Sequence, residues 1–284
     1  MSRIAYVNGS YVPHREAAIS IDDRGYQFGD GVYEVVFIID GKMADEGPHL
    51  DRLERSLAEM AMPMPVSREV LRMIMARVVR LNAVRTGLVY LQITRGVAKR
   101  DHKWTKALKP ALVVTAKNTA KHIPTQIAAV NVITVADERW ERRDIKTIQL
   151  LPNCMAKQKA YEAGAYEAVM IDTDGTVTEG SSSNVWIVTD KAELITRPAT
   201  NKILNGITRR TVSAVAQEMQ LTVIERDFTL QEALGASEAF LTSASSHVTP
   251  IGQIDNAAIS DGKAGPVAKR LRMAYIEAVT KEFG

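Results

Sequence analysis

Cysteine is nearly missing from this chain of 284 residues, which carries only Cys154. A single thiol forms no intramolecular disulfide, so a reducing cytoplasm is the expected compartment. It also leaves no thiolate metal site, and the five histidines show no ligand spacing. Cys154 itself is expected to be a small buried hydrophobe. Long apolar runs are lacking too. None approaches the ~20 residues a membrane span needs, and the N-terminal MSRIAYVNGSYV has no continuous apolar core of a secretion signal. No GxxxxGK[ST] motif occurs, which removes support for a P-loop nucleoside triphosphatase. Repeats, low-complexity tracts and coiled-coil heptads are absent. A net charge of +3 is too small to imply nucleic acid by itself.

What is present describes an ordinary globular protein, 46% hydrophobic and 24% charged, of a length that suits two moderate domains. Residues 4–12 read as a short hairpin turning at Asn8-Gly9. GVYEVVFIID, residues 31–40, reads as a buried strand. Residues 48–62 carry Leu50, Leu53, Leu57 and Met60 at helical spacing, and Pro63 and Pro65 stop that helix. Ser67 caps a second helix whose buried face is Val70, Leu71, Ile74, Met75, Val78 and Val79. With further strands at 88–94 and 111–116, residues 1–117 form an α+β domain. The polar stretch 118–124 is the expected linker, and 125–284 a second domain that contains Lys146. In it, strands are expected at 127–135, 167–171, 184–188 and 238–242, and helices at 153–163, 207–220 and 266–281, with a capping box at Thr229–Glu232.

Five segments are candidates for chemistry. Taken singly, Lys146 also reads as a solvated strand-end lysine, TEGSSSN as a Ser-rich turn and LNGITRR as an ordinary Gly-flanked helix start. In DIKTIQLL, Lys146 lies between apolar residues with Arg142 and Arg143 just upstream; desolvation and nearby cations are what turn an ammonium into a nucleophilic amine. RGYQFGDGVYEVV, residues 24–36, has three glycines ahead of a strong strand, a tight backbone that presents an aromatic and a carboxylate at the strand's start. TEGSSSN, residues 178–184, is dense in small hydrogen-bonding side chains. In LNGITRR, Gly206 opens a helix with Thr208 in its first turn, a ready anion site. TSASS, residues 242–246, is again small and polar after a strand.

In order and spacing, RGYQFGDGVYEVV, DIKTIQLL, TVTEGSSSNV and GITRR resemble the fold-type IV pyridoxal-phosphate enzymes, the class IV aminotransferases. Within these the chain is most similar to the bacterial D-amino-acid aminotransferases, and the resemblance spans nearly its whole length. It implies a two-domain fold-type IV architecture and pyridoxal 5'-phosphate as cofactor, with Lys146 in Schiff-base linkage to it. Glu179 would pair with the pyridine nitrogen and keep it protonated. Arg52, Ile207, Thr208, Ser243 and the backbone of Ala244 would hold the phosphate, Ala244 standing where the family often has a hydroxyl residue. Leu204 would pack on the ring face, with Ser182 and Asn184 at its edge. Tyr33 and the Arg100-Asp101-His102 loop would bind the substrate carboxylate.

The implied reaction is a ping-pong transamination between a D-amino acid and a 2-oxo acid, of the type D-alanine plus 2-oxoglutarate giving pyruvate plus D-glutamate. The resemblance also implies a homodimer acting on small molecules; from the small net charge and the lack of long apolar runs, no nucleic-acid or membrane partner is expected. The same fold hosts branched-chain and (R)-selective amine transaminases and aminodeoxychorismate lyase, a β-elimination enzyme. A non-catalytic scaffold is the remaining alternative, disfavoured by the intact lysine and glutamate.

Overall fold

In a computed structural model that describes residues 3–119 and 123–281, the chain forms two compact units. Among the described residues, the first comprises 3–119, Ile123 and Ile145–Gln149, and the second Pro124–Asp144 and 150–281. Of the expected linker, residues 120–122 lie outside the described residues.

In the first unit the elements are β1 (Ile4–Val7), β2 (Ser10–Pro13), α1 (Arg24–Phe28), β3 (Gly31–Ile39), β4 (Lys42–Met43), α2 (Glu46–Glu59), α3 (Arg68–Leu81), β5 (Gly87–Thr94) and β6 (Ala111–Asn118). Their sheet runs β2-β1-β6-β5-β3-β4, antiparallel throughout. Leu50, Leu53 and Leu57 of α2 and Leu71, Ile74, Met75 and Val78 of α3 meet Val36, Ile38, Val89 and Leu91 in one core, the outcome of helical and alternating apolar spacing in the same chain. Ser67 Oγ accepts from the Val70 N–H at 3.4 Å, as its N-cap role requires. Val70 itself is exposed rather than buried; it sits in the first turn at the rim of the stripe. Helix α2 ends before Pro63, with Ala61 in the left-handed region.

The segment carrying Lys146 belongs with this unit, not with the second as its place in the sequence suggested. The physical reason is an open sheet edge. β4 pairs only with Ile38 and Ile39 of β3, so the start of that edge is left for another partner. Residues 145–149 take it: Tyr33 N–H donates to Lys146 O at 3.1 Å, Ile148 N–H to Gly31 O at 3.1 Å, and Thr147 bridges Val32.

The second unit contains β7 (Val130–Ala136), α4 (Leu151–Glu162), β8 (Glu167–Ile171), β9 (Val177–Gly180), β10 (Asn184–Val188), β11 (Leu194–Thr196), α5 (Ile207–Glu218), β12 (Val223–Glu225), α6 (Leu230–Leu234), β13 (Glu238–Ser243), β14 (His247–Ile254), β15 (Ala257–Ala258) and α7 (Pro266–Lys281). Nine strands form a mixed sheet in the order β12-β11-β10-β13-β14-β7-β8-β9, with β15 on β14. The Thr229–Glu232 capping box is present. Strand β14 escaped the sequence reading because Pro250 and Gly252 both argue against a strand; Gly252 sits at a register shift against β7. Cys154 is exposed, contrary to expectation. It lies on α4, whose buried residues are Ala156 and Ala160, and two residues from Ala156 is the far side of a helix. Among the described residues no helix is long and apolar enough to cross a membrane, and no acidic, His or Cys cluster could hold a metal.

Candidate active site

Alternation along β3 sends Tyr33 and Glu34 to opposite faces. Glu34 is fully buried and accepts from Arg52 Nε at 2.7 Å, Arg52 Nη2 at 2.8 Å and, at 2.7 Å, His49 Nδ1. Burial opposes ionisation here, but Arg52 and His49 outweigh it and bring the carboxyl down to about 2. Burial also lowers the His49 pKa, and because an ionised carboxylate only accepts, Nδ1 is the donor in this contact. On the other face, the Tyr33 ring lies 5.8 Å from that of Tyr90 and carries Lys146 Nζ 4.2 Å above its centroid. Lys146 N–H donates to Ser56 Oγ at 3.4 Å. The structure thus brings Lys146 and Tyr33 together. It also gives two donor groups of Arg52 to Glu34, a partner not foreseen, although a charged residue inside GVYEVV was a signal that one existed.

Arg100 and His102 are exposed and meet on Phe28, 4.8 Å from the Arg100 guanidinium and 5.8 Å from the His102 ring. Below them, buried Arg24 donates to the carbonyls of Asp101, His102 and Lys103. Tyr33, with its own partners Tyr90 and Lys146, belongs to a separate set of ring contacts.

In the second unit, β9 delivers Glu179 at the end of an entirely buried strand. Its Oε1 takes a short ion pair from Arg139 Nη1, and Oε2 accepts from Asn184 Nδ2 and from Leu204 N–H, both at 3.1 Å. Burial pushes the carboxyl up, against the pull of Arg139 and the Leu204 N–H. Arg139 is fixed in turn by Asp137, which also accepts from Thr178 Oγ1. Nothing in DERWERRD distinguished Arg139 from its charged neighbours. Arg142 and Arg143, expected to act on Lys146, pair instead with Asp144 and Asp137.

Asn184 ties this group to a helix start. Its Nδ2 also donates to Leu204 O at 2.9 Å, and a β-carbon on Gly206, the N-cap of α5, would fall 2.1 Å from its Oδ1. Gly206 offers no side-chain cap, so no cap side chain occupies the N–H groups at Ile207 and Thr208. Across β10 and β13, Asn184 faces Thr242, next to Ser243 and Ala244. The Ser243 hydroxyl accepts from Ser246 N–H at 3.2 Å. Ser182 is turned elsewhere: with Ser181 and Ser183 it hydrogen-bonds the buried Glu167, another residue the sequence reading passed over. A buried carboxylate at one end and an uncapped helix start at the other can hold a polar aromatic base and an anion.

The family model described as Amino-transferase class IV matches residues 31–254. A D-alanine aminotransferase from Listeria monocytogenes serotype 4b (strain F2365) is 41% identical over 281 residues, which is 98% of this chain and 96% of the relative. One from Bacillus licheniformis is 41% identical over 275 residues, covering 97% and 96%. Among solved structures, the branched-chain aminotransferase from the thermophilic archaeon Thermoproteus uzoniensis with norvaline superposes with a TM-score of 0.88 at 25% identity, covering 99% of this chain and 96% of that one. The chain belongs to the class IV aminotransferases, the fold-type IV enzymes that depend on pyridoxal phosphate.

Proposed function

We propose that the protein transfers the amino group of D-amino acids to 2-oxo acids in a ping-pong reaction, D-alanine and 2-oxoglutarate giving pyruvate and D-glutamate. Near-full-length identity to D-alanine aminotransferases supports the D-amino-acid class. The observation that carries the mechanism is Lys146 Nζ resting on the Tyr33 ring, the amine and the phenol side by side.

The residues fit the cofactor: the Glu179 carboxylate with its donors suits a protonated ring nitrogen, and the α5 start with Ser243 suits a phosphate. When bound, pyridoxal phosphate supplies an electron sink for a deprotonated α-carbon. Lys146, the lysine that links to it, takes the substrate's α-proton at Nζ once its amine is free. Glu179, held by Arg139 and Asn184, would fix the ring nitrogen's charge. Leu204, Ile207, Thr208, Ala244 and Arg52 would complete the hold on the cofactor. Tyr33, Arg100 and His102 anchor the substrate carboxylate, the arginine by paired hydrogen bonds. The working form is a homodimer in the cytoplasm.

The test is absorbance between 300 and 500 nm of the purified, cofactor-saturated protein, with D-alanine and L-alanine added separately. Conversion by the D-isomer alone is expected. Conversion by L-isomers, as for a branched-chain enzyme, would overturn the reading. Lys146→Ala is expected to abolish turnover, and retained steady-state turnover would remove its assigned role.

A further inference from the structure

One arginine below the Arg100–His102 loop has no part in the reaction above, yet it makes more directed contacts to that loop than either expected substrate ligand. Arg24 Nη1 donates to Asp101 O at 2.6 Å and Lys103 O at 3.4 Å, Nη2 to His102 O at 3.1 Å, and Nε to Asp30 Oδ2 at 2.8 Å. Three consecutive carbonyls converge on one planar group. Only a guanidinium fork spans three acceptors and a carboxylate at once; an ammonium is a single point charge.

The anchor beneath it is rigid. Asp30 accepts a second arginine through Arg95 Nε at 2.8 Å, and Arg95 Nη2 donates to Met60 O at 2.9 Å, beyond the end of α2. The Trp104 ring, itself part of the loop, covers Arg95 at 4.0 Å and Arg24 at 5.6 Å. Phe28 packs 4.8 Å from Arg24 and 4.8 Å from Arg100. At its stem the loop is closed: Gly96 has φ +95°, and a β-carbon there would lie 2.0 Å from Lys109 O. A loop with touching ends and a mostly exposed, polar tip keeps its shape only through its own pins. Fixing the carbonyls at 101, 102 and 103 fixes the backbone that aims Arg100 and His102.

We propose that Arg24 is a positioning residue for substrate recognition: without touching substrate, it sets how tightly the Arg100–His102 loop binds the α-carboxylate. The inference rests on the reading of that loop as the carboxylate anchor. Loss of charge-assisted hydrogen bonds to an ordered loop corresponds to roughly a ten- to a hundredfold loss of affinity.

The experiment is steady-state kinetics with D-alanine and 2-oxoglutarate on wild type, Arg24→Lys, Arg100→Ala and the double variant, with the cofactor absorbance band recorded for each. Arg24→Lys is expected to raise both KM values about tenfold or more with kcat within about threefold and an unaltered band. Because Arg24 acts through both Arg100 and His102, the double variant is expected to be less impaired than the product of the two single effects. An unchanged KM in Arg24→Lys, an equal loss in kcat, or additive effects would overturn the proposal. An unchanged KM in Arg100→Ala would instead overturn the carboxylate-anchor reading, and the proposal with it. Should Arg24→Lys fail to fold, Trp104→Leu uncovers the Arg24–Arg95 pair and is expected to raise KM with kcat retained. An unchanged KM there would count against the proposal.

Discussion

Asn184 holds Glu179 in place: Nδ2 donates to Glu179 Oε2 at 3.1 Å and shares its other proton with Leu204 O at 2.9 Å. A carboxylate gripped from both sides, with Arg139 on the other oxygen, has little freedom to rotate. Removing the amide in Asn184→Ala is expected to weaken cofactor binding about fivefold, the effect of roughly 1 kcal/mol for one hydrogen bond. Asn184→Asp sets a second carboxylate against Glu179 and is expected to be worse than alanine. Titrating apoprotein with pyridoxal phosphate measures both, and equal affinities for all three proteins would mean the amide does not hold Glu179.

Gly206 tests the same contact from the other side. Its backbone, φ −60° and ψ 136°, suits any residue, so Gly206→Ala strains only the side chain of Asn184, whose Oδ1 stands 2.1 Å from the new β-carbon. The amide must move, and Glu179 loses its alignment. A fall in cofactor affinity about as large as that of Asn184→Ala is expected. Wild-type affinity in Gly206→Ala would show that Asn184 can step aside at no cost.

In the first unit, the Glu34 pKa of about 2 lies below the ordinary 4.5. The unfolded chain binds the proton first, so this contribution is complete above pH 4.5 and lost as pH falls toward 2. At about 1.4 kcal/mol per pH unit it amounts to ~3 kcal/mol. Urea melts of wild type between those limits are expected to steepen against pH. Glu34→Gln is expected to flatten that limb while costing ~3 kcal/mol or more at neutral pH, because Arg52 stays buried with a neutral partner. An unaltered acid limb would disprove the assignment.

His247 governs an earlier part of the acid side. Burial, helped by Arg272, lowers its pKa from 6.5 to about 4. Stability is therefore complete above pH 6.5 and falls between 6.5 and 4 as the unfolded chain takes up protons. His49, also lowered by burial, adds in the same direction. His247 has φ +62°, a conformation asparagine tolerates. His247→Asn is expected to reduce the slope in this window, and an unchanged slope would disprove the assignment to His247.

Patterns within a few residues of each other were enough to determine much of this protein. Leu50, Leu53 and Leu57 at helical spacing made α2, Ser67 capped α3, GVYEVVFII made a buried strand, and four ordered motifs revealed the family. Each depends on local periodicity or on a motif that survives in one dimension. Contacts across long stretches of sequence were decided only by tertiary structure. Residues 145–149 joined the first unit because β4 leaves most of one edge of β3 open. Cys154 faces outward because α4 buries alanines on its other side. Glu179 acquired Arg139, forty residues earlier, and Ser182 turned to Glu167, because buried carboxylates take whichever donors the fold brings within reach. No spacing rule encodes that choice, since the donor's place in the chain is irrelevant to the energy of the bond.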